Sequence, residues 1–216
     1  MESSQRCFEL LEAGDAEGLR SLLVDDPGAA ETRDASGVSL VMHALYRGRR
    51  DIADILASQK KELDVFEATS LGRIERLSQC LKDASAVHAY SSDGFTALHF
   101  ACYFGQPESA RLLLEKGAAV DAVASNAMRL MPLHSAASAR NVAAARLLLE
   151  HGAPANARQH RGWAAIHAAA QNGDHAMVEL LLKHGADPHA SNDDGKTAAS
   201  IAREKGHTDI LALVEG

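Results

Sequence analysis

A leucine triplet followed by glycine and alanine occurs three times at nearly constant spacing, and this recurrence restricts the chain more than any other feature. Leu112-Leu113-Leu114, Leu147-Leu148-Leu149 and Leu180-Leu181-Leu182 lead into Gly117-Ala118, Gly152-Ala153 and Gly185-Ala186. His99, His134 and His167 keep step with them, 35 and 33 positions apart. Such a period marks units that cannot bury an apolar face alone and therefore stack on their neighbours. Three leucines in a row, at about 100° per residue, cover roughly 200° of a helix. A helix of that kind must pack on two sides.

Composition agrees with a stack of closely packed helices. Hydrophobic residues make up 46% of the chain but aromatics only 4%, so the core is expected to be Ala and Leu rather than an all-β interior. The segment Leu98 to Tyr103 reads as a lightly built first helix that a partner can approach closely, and Gly105 as the turn into a second helix. Each unit is thus expected to be a helical hairpin, with Gly117 in a left-handed position at its end and Thr96 or Thr197 capping the next. Met131 and Ala164 occupy the equivalent cap positions, so those two helix starts should each be weaker by about 1 kcal/mol unless another group substitutes.

The octapeptides beginning Gly94-Phe95-Thr96-Ala97-Leu98-His99, Gly162-Trp163-Ala164-Ala165-Ile166-His167 and Gly195-Lys196-Thr197-Ala198 align with one another. With the Leu runs and Gly-Ala, they resemble the ankyrin-repeat family, whose unit of about 33 residues runs through Thr-Pro-Leu-His-x-Ala. The resemblance is strong from Ser91 to Val214 and looser before. It implies an all-α solenoid of helix-turn-helix units with hairpin fingers, in a single domain over 1–216. The expected units are a cap at 1–33, then 34–62, 63–90, 91–123, 124–157 and 158–190, and a cap at 191–216, with both ends closed. Gly48 and Gly72 are only 24 positions apart and Ser58 to Glu62 holds no glycine turn, so the third unit should lack its finger. Arg129, standing where other units have glycine, should distort the fifth.

Charge and motif content narrow the function. A formal net charge of −7 leaves no global positive field, so a nucleic-acid partner is not expected. Cys7, Cys80 and Cys102 are odd in number and lie in apolar helical sequence, which fits reduced core residues rather than bridges or ligands. Met1 to Arg6 opens no apolar leader, and no stretch approaches the roughly 18 apolar residues of a membrane span. A cytoplasmic, monomeric protein with no membrane contact is expected.

His99, His134 and His167 suggest metal ligands or a general base, but the resemblance implies that these histidines tie neighbouring turns together, and no metal, cofactor or catalytic role is assigned to them. Gly-x-Ser-x-Gly, His-Glu-x-x-His and phosphate-loop motifs are absent from the sequence. Arg47-Gly48-Arg49-Arg50 with Lys60-Lys61 reads either as a basic patch or as a solvated turn tempered by Asp51, Asp54 and Glu62. His151 and His184 fall in last helical turns, where they can meet free carbonyls.

The resemblance also implies which positions face outward on the finger tips and the concave side. Those candidates for partner contact are Tyr46, Arg47, Tyr90, Phe95, Tyr103, Phe104, Leu130, His160, Arg161 and Trp163, rich in the residue types that carry interface energy. Tyr90, Phe95, Tyr103 and Phe104 could alternatively cage a cation, with Asp93 as the neighbouring anion. The sequence therefore favours a non-catalytic scaffold for a protein or peptide partner. An accessory inhibitor or chaperone-like partner, and a histidine-based metal-dependent enzyme, are the alternatives.

Overall fold

The computed structural model describes residues 2–215. These form α1 (Glu2–Ala13), α2 (Ala16–Asp25), α3 (Leu40–Tyr46), α4 (Arg50–Gln59), α5 (Val65–Leu71), α6 (Ile74–Cys80), α7 (Ala97–Tyr103), α8 (Pro107–Glu115), α9 (Pro132–Ser138), α10 (Val142–Glu150), α11 (Ala165–Asn172), α12 (His175–Lys183), α13 (Ala198–Lys205) and α14 (Thr208–Val214). Three short 3₁₀ turns, Pro27–Glu31, Ala84–His88 and His160–Gly162, complete the helical structure. Helices pair in sequence, α3 with α4, α7 with α8 and so on to α13 with α14. The first helices of successive pairs form one row (α3, α5, α7, α9, α11, α13), and the second helices form another (α8, α10, α12, α14). This is the all-α solenoid expected from the repeat.

The leucine triplets behave as their angular spread requires. Leu147, Leu148 and Leu149 are all buried, and so are Leu180 and Leu181, because each second helix packs against its own partner and against the neighbouring second helices. Between the pairs, hairpin fingers carry a β-bridge at Arg33 with Ser39, Tyr90 with Thr96, and Ser191 with Thr197. The fingers lie tightly on one another: a methyl on Gly94, whose φ is +88°, would meet the Asn126 backbone nitrogen at 2.9 Å.

Met131 and Ala164 supply no capping side chain, and the histidine three residues on provides the reciprocal half of the cap. Nδ1 of His134 accepts the Met131 N–H at 3.0 Å, and Nδ1 of His167 accepts the Ala164 N–H at 2.9 Å, as Nδ1 of His99 does from Thr96 at 3.2 Å. An Nδ1 that accepts is unprotonated, so Nε2 carries the hydrogen. Nε2 donates toward the segment that leads into the next first helix, to the carbonyls of Leu130 (3.0 Å), Ala157 (2.9 Å) and Ala190 (2.8 Å). At the other end of the first helices, side chains donate the opposite way. Gln106 reaches back to the Ser70 carbonyl (3.2 Å), Asn141 to that of Cys102 (3.0 Å) and Asn172 to that of Ala137 (3.2 Å).

The third unit is the exception. Only residues 60–64 separate α4 from α5, too few for a finger, and Asp64 caps α5 directly by accepting from the Phe66 and Glu67 N–H groups. Glu67 takes the position of the histidine and accepts the Asp64 N–H at 3.0 Å. Its buried carboxylate faces Nζ of Lys60 at 3.3 Å, and the same Nζ meets Glu31 at 2.9 Å. The apolar core divides at this unit. One cluster runs from α5 to α14; the other holds α1 to α4 together with Leu71 and Phe100.

Three further irregularities sit at arginines. Arg140 takes φ +57° in the turn between α9 and α10, where the turns after α5, α11 and α13 have Gly72, Gly173 and Gly206. Arg129 takes φ +50° at the tip of the fifth finger, which forms no β-bridge. The sixth finger also lacks one and holds Arg161 at φ +58°, a distortion its Gly162 gave no reason to expect.

Candidate partner-binding face

The chain has five Phe, three Tyr and one Trp, and six of these converge where α3, α5, α7 and the fourth finger meet. Phe100, only 3% exposed, is the hub. Its ring lies 5.7 Å from Phe95, 5.9 Å from Phe66, 6.2 Å from Phe104 and 6.4 Å from Tyr46. Tyr103 stands edge-on to Phe104 at 5.2 Å. Edge-on, tilted and stacked rings at these separations are the arrangements that aromatic quadrupoles favour.

Around this hub opens an apolar cavity of about 210 Å³, walled by Tyr46, Phe95, His99, Phe100, Tyr103, Met128, Leu130 and Ser135. Its outer lip is unusually exposed for apolar side chains: Tyr103 is 49% and Met128 50% exposed. Two of the four polar side chains of the wall are spent. Tyr46 donates its hydroxyl to Asp93, and both ring nitrogens of His99 are engaged with backbone groups.

The missing third finger shapes the space next to it. Fingers two and four close toward each other, so that a methyl on Gly37 would sit 3.2 Å from Cβ of Ser92. Beneath them lies a second, more polar cavity of about 120 Å³ that includes Arg33, Asp64, Tyr90 and Asp93 and shares Tyr46 and Phe100 with the first. Arg33 and Asp64 pair across it at 2.8 Å.

Of the residues expected to contact a partner, the structure brings Tyr46, Phe95, Tyr103 and Leu130 onto one cavity, with Phe104 packed behind Tyr46 and Tyr103. The others lie apart. Tyr90 lines the second cavity and donates to the Val123 carbonyl at 3.1 Å, which takes it out of the suggested cage. Arg47 meets Glu12 at 3.4 Å near the amino-terminal helices. Arg161 holds Asp194 at 2.7 Å, His160 is exposed on the sixth finger, and Trp163 lies half-buried, edge-on to His167. Sequence alone does not single out Phe100, because Leu98 to Tyr103 reads as lightly built. The signal was there: Ala168 and Ser135 occupy the equivalent places in other units.

The alternative chemistries find different use in the fold. Both nitrogens of His134 and His167, like those of His99, are committed to backbone groups. Burial pushes His99 down to about 4, against the opposing hydrogen bond to Leu130, and depresses His134 and His167 for the same reason. Such imidazoles are neutral structural donors. The basic run is likewise neutralised: Arg49 pairs with Asp51 (3.0 Å), Arg50 with Asp54 (3.2 Å), and Lys60 is buried between Glu31 and Glu67. His151 bonds the Leu147 carbonyl at 2.8 Å in the last turn of α10. Burial raises the thiols of Cys7, to about 11, and Cys102, as expected of core residues. No described helix is long and apolar enough to cross a membrane.

The family model "Ankyrin repeats (3 copies)" matches residues 9–159 and 152–215. The chain belongs to the ankyrin-repeat family. Ankyrin repeats are generally protein-interaction modules. The chain is similar to the palmitoyltransferase Hip14 of Drosophila melanogaster, 34% identical over 48% of this chain and 16% of that protein. It is also similar to the B-cell lymphoma 3 protein homolog of Mus musculus, 42% identical over 34% of this chain and 16% of the mouse protein. A third relative is the human BCL-6 corepressor-like protein 1, 35% identical over 46% of this chain and 6% of that protein. These ankyrin matches thus span a small part of much longer relatives.

Proposed function

We propose that this ankyrin array is a non-catalytic binding module that grips a protein or peptide on the face formed by its first helices and fingers. The supporting observation is the open aromatic cavity between Tyr46, Phe95, Tyr103 and Leu130. The first-row contacts are built from small residues such as Ala97, Ala136, Ala165 and Ala198, which lets those helices approach more closely than the leucine-bearing row. Exposed tyrosine and methionine around a well-formed apolar depression are what a binding hot spot requires. His160, Arg161 and Trp163 extend the same face toward the carboxyl end, and Arg47 and Tyr90 flank it toward the amino end, as peripheral contacts.

Affinity capture from the native source tests the reading, with wild type compared against a Tyr46→Ala, Tyr103→Ala double variant shown by circular dichroism to be folded. A protein retained by wild type and lost by the variant is the expected result. Equal retention by both would move the interface off this cavity.

A further inference from the structure

Resting on that reading, we infer that the cavity accepts one apolar side chain of a partner segment whose adjoining residue is acidic and pairs with Arg129. Size and polarity define the apolar half. A cavity of about 150 Å³ lined by aliphatic and aromatic groups stays dry and holds a benzene ring, so about 210 Å³ admits a phenylalanine, leucine or methionine side chain. With the Tyr46 hydroxyl bound to Asp93 and both nitrogens of His99 satisfied, the hydroxyls of Ser135 and Tyr103 are the polar side-chain groups left to the wall. A guest with several hydrogen-bonding groups would lose its water without replacement.

The acidic half comes from the fifth finger. Met128 and Leu130 both line the cavity, and Arg129 stands between them, exposed, at the tip. The other finger arginines have carboxylate partners: Arg33 with Asp64 (2.8 Å), Arg158 with Asp193 (3.5 Å) and Arg161 with Asp194 (2.7 Å). Arg129 has none among the described residues. On the preceding finger, Asp93 already accepts from Tyr46 and, at 2.5 Å, from Ser91. Arg129 also holds φ +50°, a conformation costing a non-glycine residue roughly 1–2 kcal/mol, and strain of this kind gathers at functional positions. The chain's net charge of −7 opposes an acidic ligand at long range. Selection must therefore occur at contact, where an unpaired guanidinium decides it.

The test uses three end-capped pentapeptides, Gly-Glu-Phe-Glu-Gly, Gly-Lys-Phe-Lys-Gly and Gly-Glu-Ala-Glu-Gly, titrated into the whole chain while the Met128 methyl and Tyr103 ring resonances are followed. The acidic phenylalanine peptide is expected to bind about fivefold more tightly than the lysine peptide, and the alanine peptide to leave both resonances in place. Arg129→Gly relieves the backbone strain, so it folds, and it should erase the charge preference while phenylalanine binding persists. Arg129→Glu should invert the preference. Equal or tighter binding of the lysine peptide overturns the inference and leaves the cavity as an anchor site. Equal shifts from the alanine peptide overturn the cavity reading as well. Silence from all three at millimolar concentration overturns the inference, and the capture experiment then decides the wider reading.

Discussion

Nζ of Lys60 lies 3.3 Å from Oε1 of Glu67, with 2% of the lysine side chain and none of the glutamate side chain exposed. This pair occupies the unit whose finger is missing, where Glu67 replaces the histidine of other units. Removing one partner leaves the other charge buried without compensation, so Lys60→Met is expected to cost about 3–5 kcal/mol in urea denaturation. The Lys60→Met, Glu67→Gln double variant keeps the helix cap and removes the orphaned charge. It should recover most of that loss; if both variants are equally unstable, the pair is not what matters at this site.

Acid should weaken the stack earlier than ordinary carboxylate titration would. The three histidines are neutral in the folded chain, with values depressed below the unfolded value near 6.5. A depressed value means that the unfolded chain binds more protons, so stability is complete above pH 6.5 and falls as pH drops toward the folded value. For His99, whose folded value is about 4, the loss by pH 4 is roughly 3 kcal/mol. Denaturation midpoints between pH 7 and pH 4 should show this decline, and His99→Gln should flatten part of it. A pH-independent midpoint over that range would contradict the assignment.

Arg140 pays for a left-handed turn that glycine would adopt freely. Its nearest acidic group, Asp174, is 4.0 Å away, and the arginine side chain is 60% exposed, so little is lost with the guanidinium. Arg140→Gly is expected to stabilise the chain by about 0.5–1 kcal/mol, read as an increase in melting temperature. A lower melting temperature would show that the arginine makes a contribution its surroundings do not suggest.

The junction between the second and third units should open first. Besides the buried Lys60–Glu67 pair and the packing of Leu71 and Phe100, it is held by ion pairs open to solvent, Arg33 with Asp64 (2.8 Å) and Arg73 with Asp54 (2.8 Å), and the apolar core divides there. Amide exchange in α1 to α4 should therefore exceed that in α7 to α12, and 0.5 M salt should widen the gap by screening those pairs. Uniform protection along the chain would refute this.

Much of the fold was legible because its physics repeats. The leucine triplets, the histidines and the Gly-Ala pairs set helix faces, caps and turns by spacing alone, and the short interval between Gly48 and Gly72 disclosed the absent finger. The candidate site was only partly legible. A linear sequence gives no distance between fingers, so it groups Tyr90 and Trp163 with Tyr46, Phe95, Tyr103 and Leu130, whereas in the structure the last four share one cavity and the other two pack elsewhere. Phe100 went unnoticed because its position elsewhere in the array is small. Lys60 looked like part of a basic surface because nothing in its neighbours reveals that losing a finger places it over Glu67.

The histidines donate toward the next repeat while Gln106, Asn141 and Asn172 donate toward the previous one, so each inner interface is latched from both sides. Severing one strands a donor on each of the two new faces. Under a pulling force along its axis, the run from α7 to α12 should therefore resist shedding repeats one by one and give way as a block, a tether that holds its length until it fails.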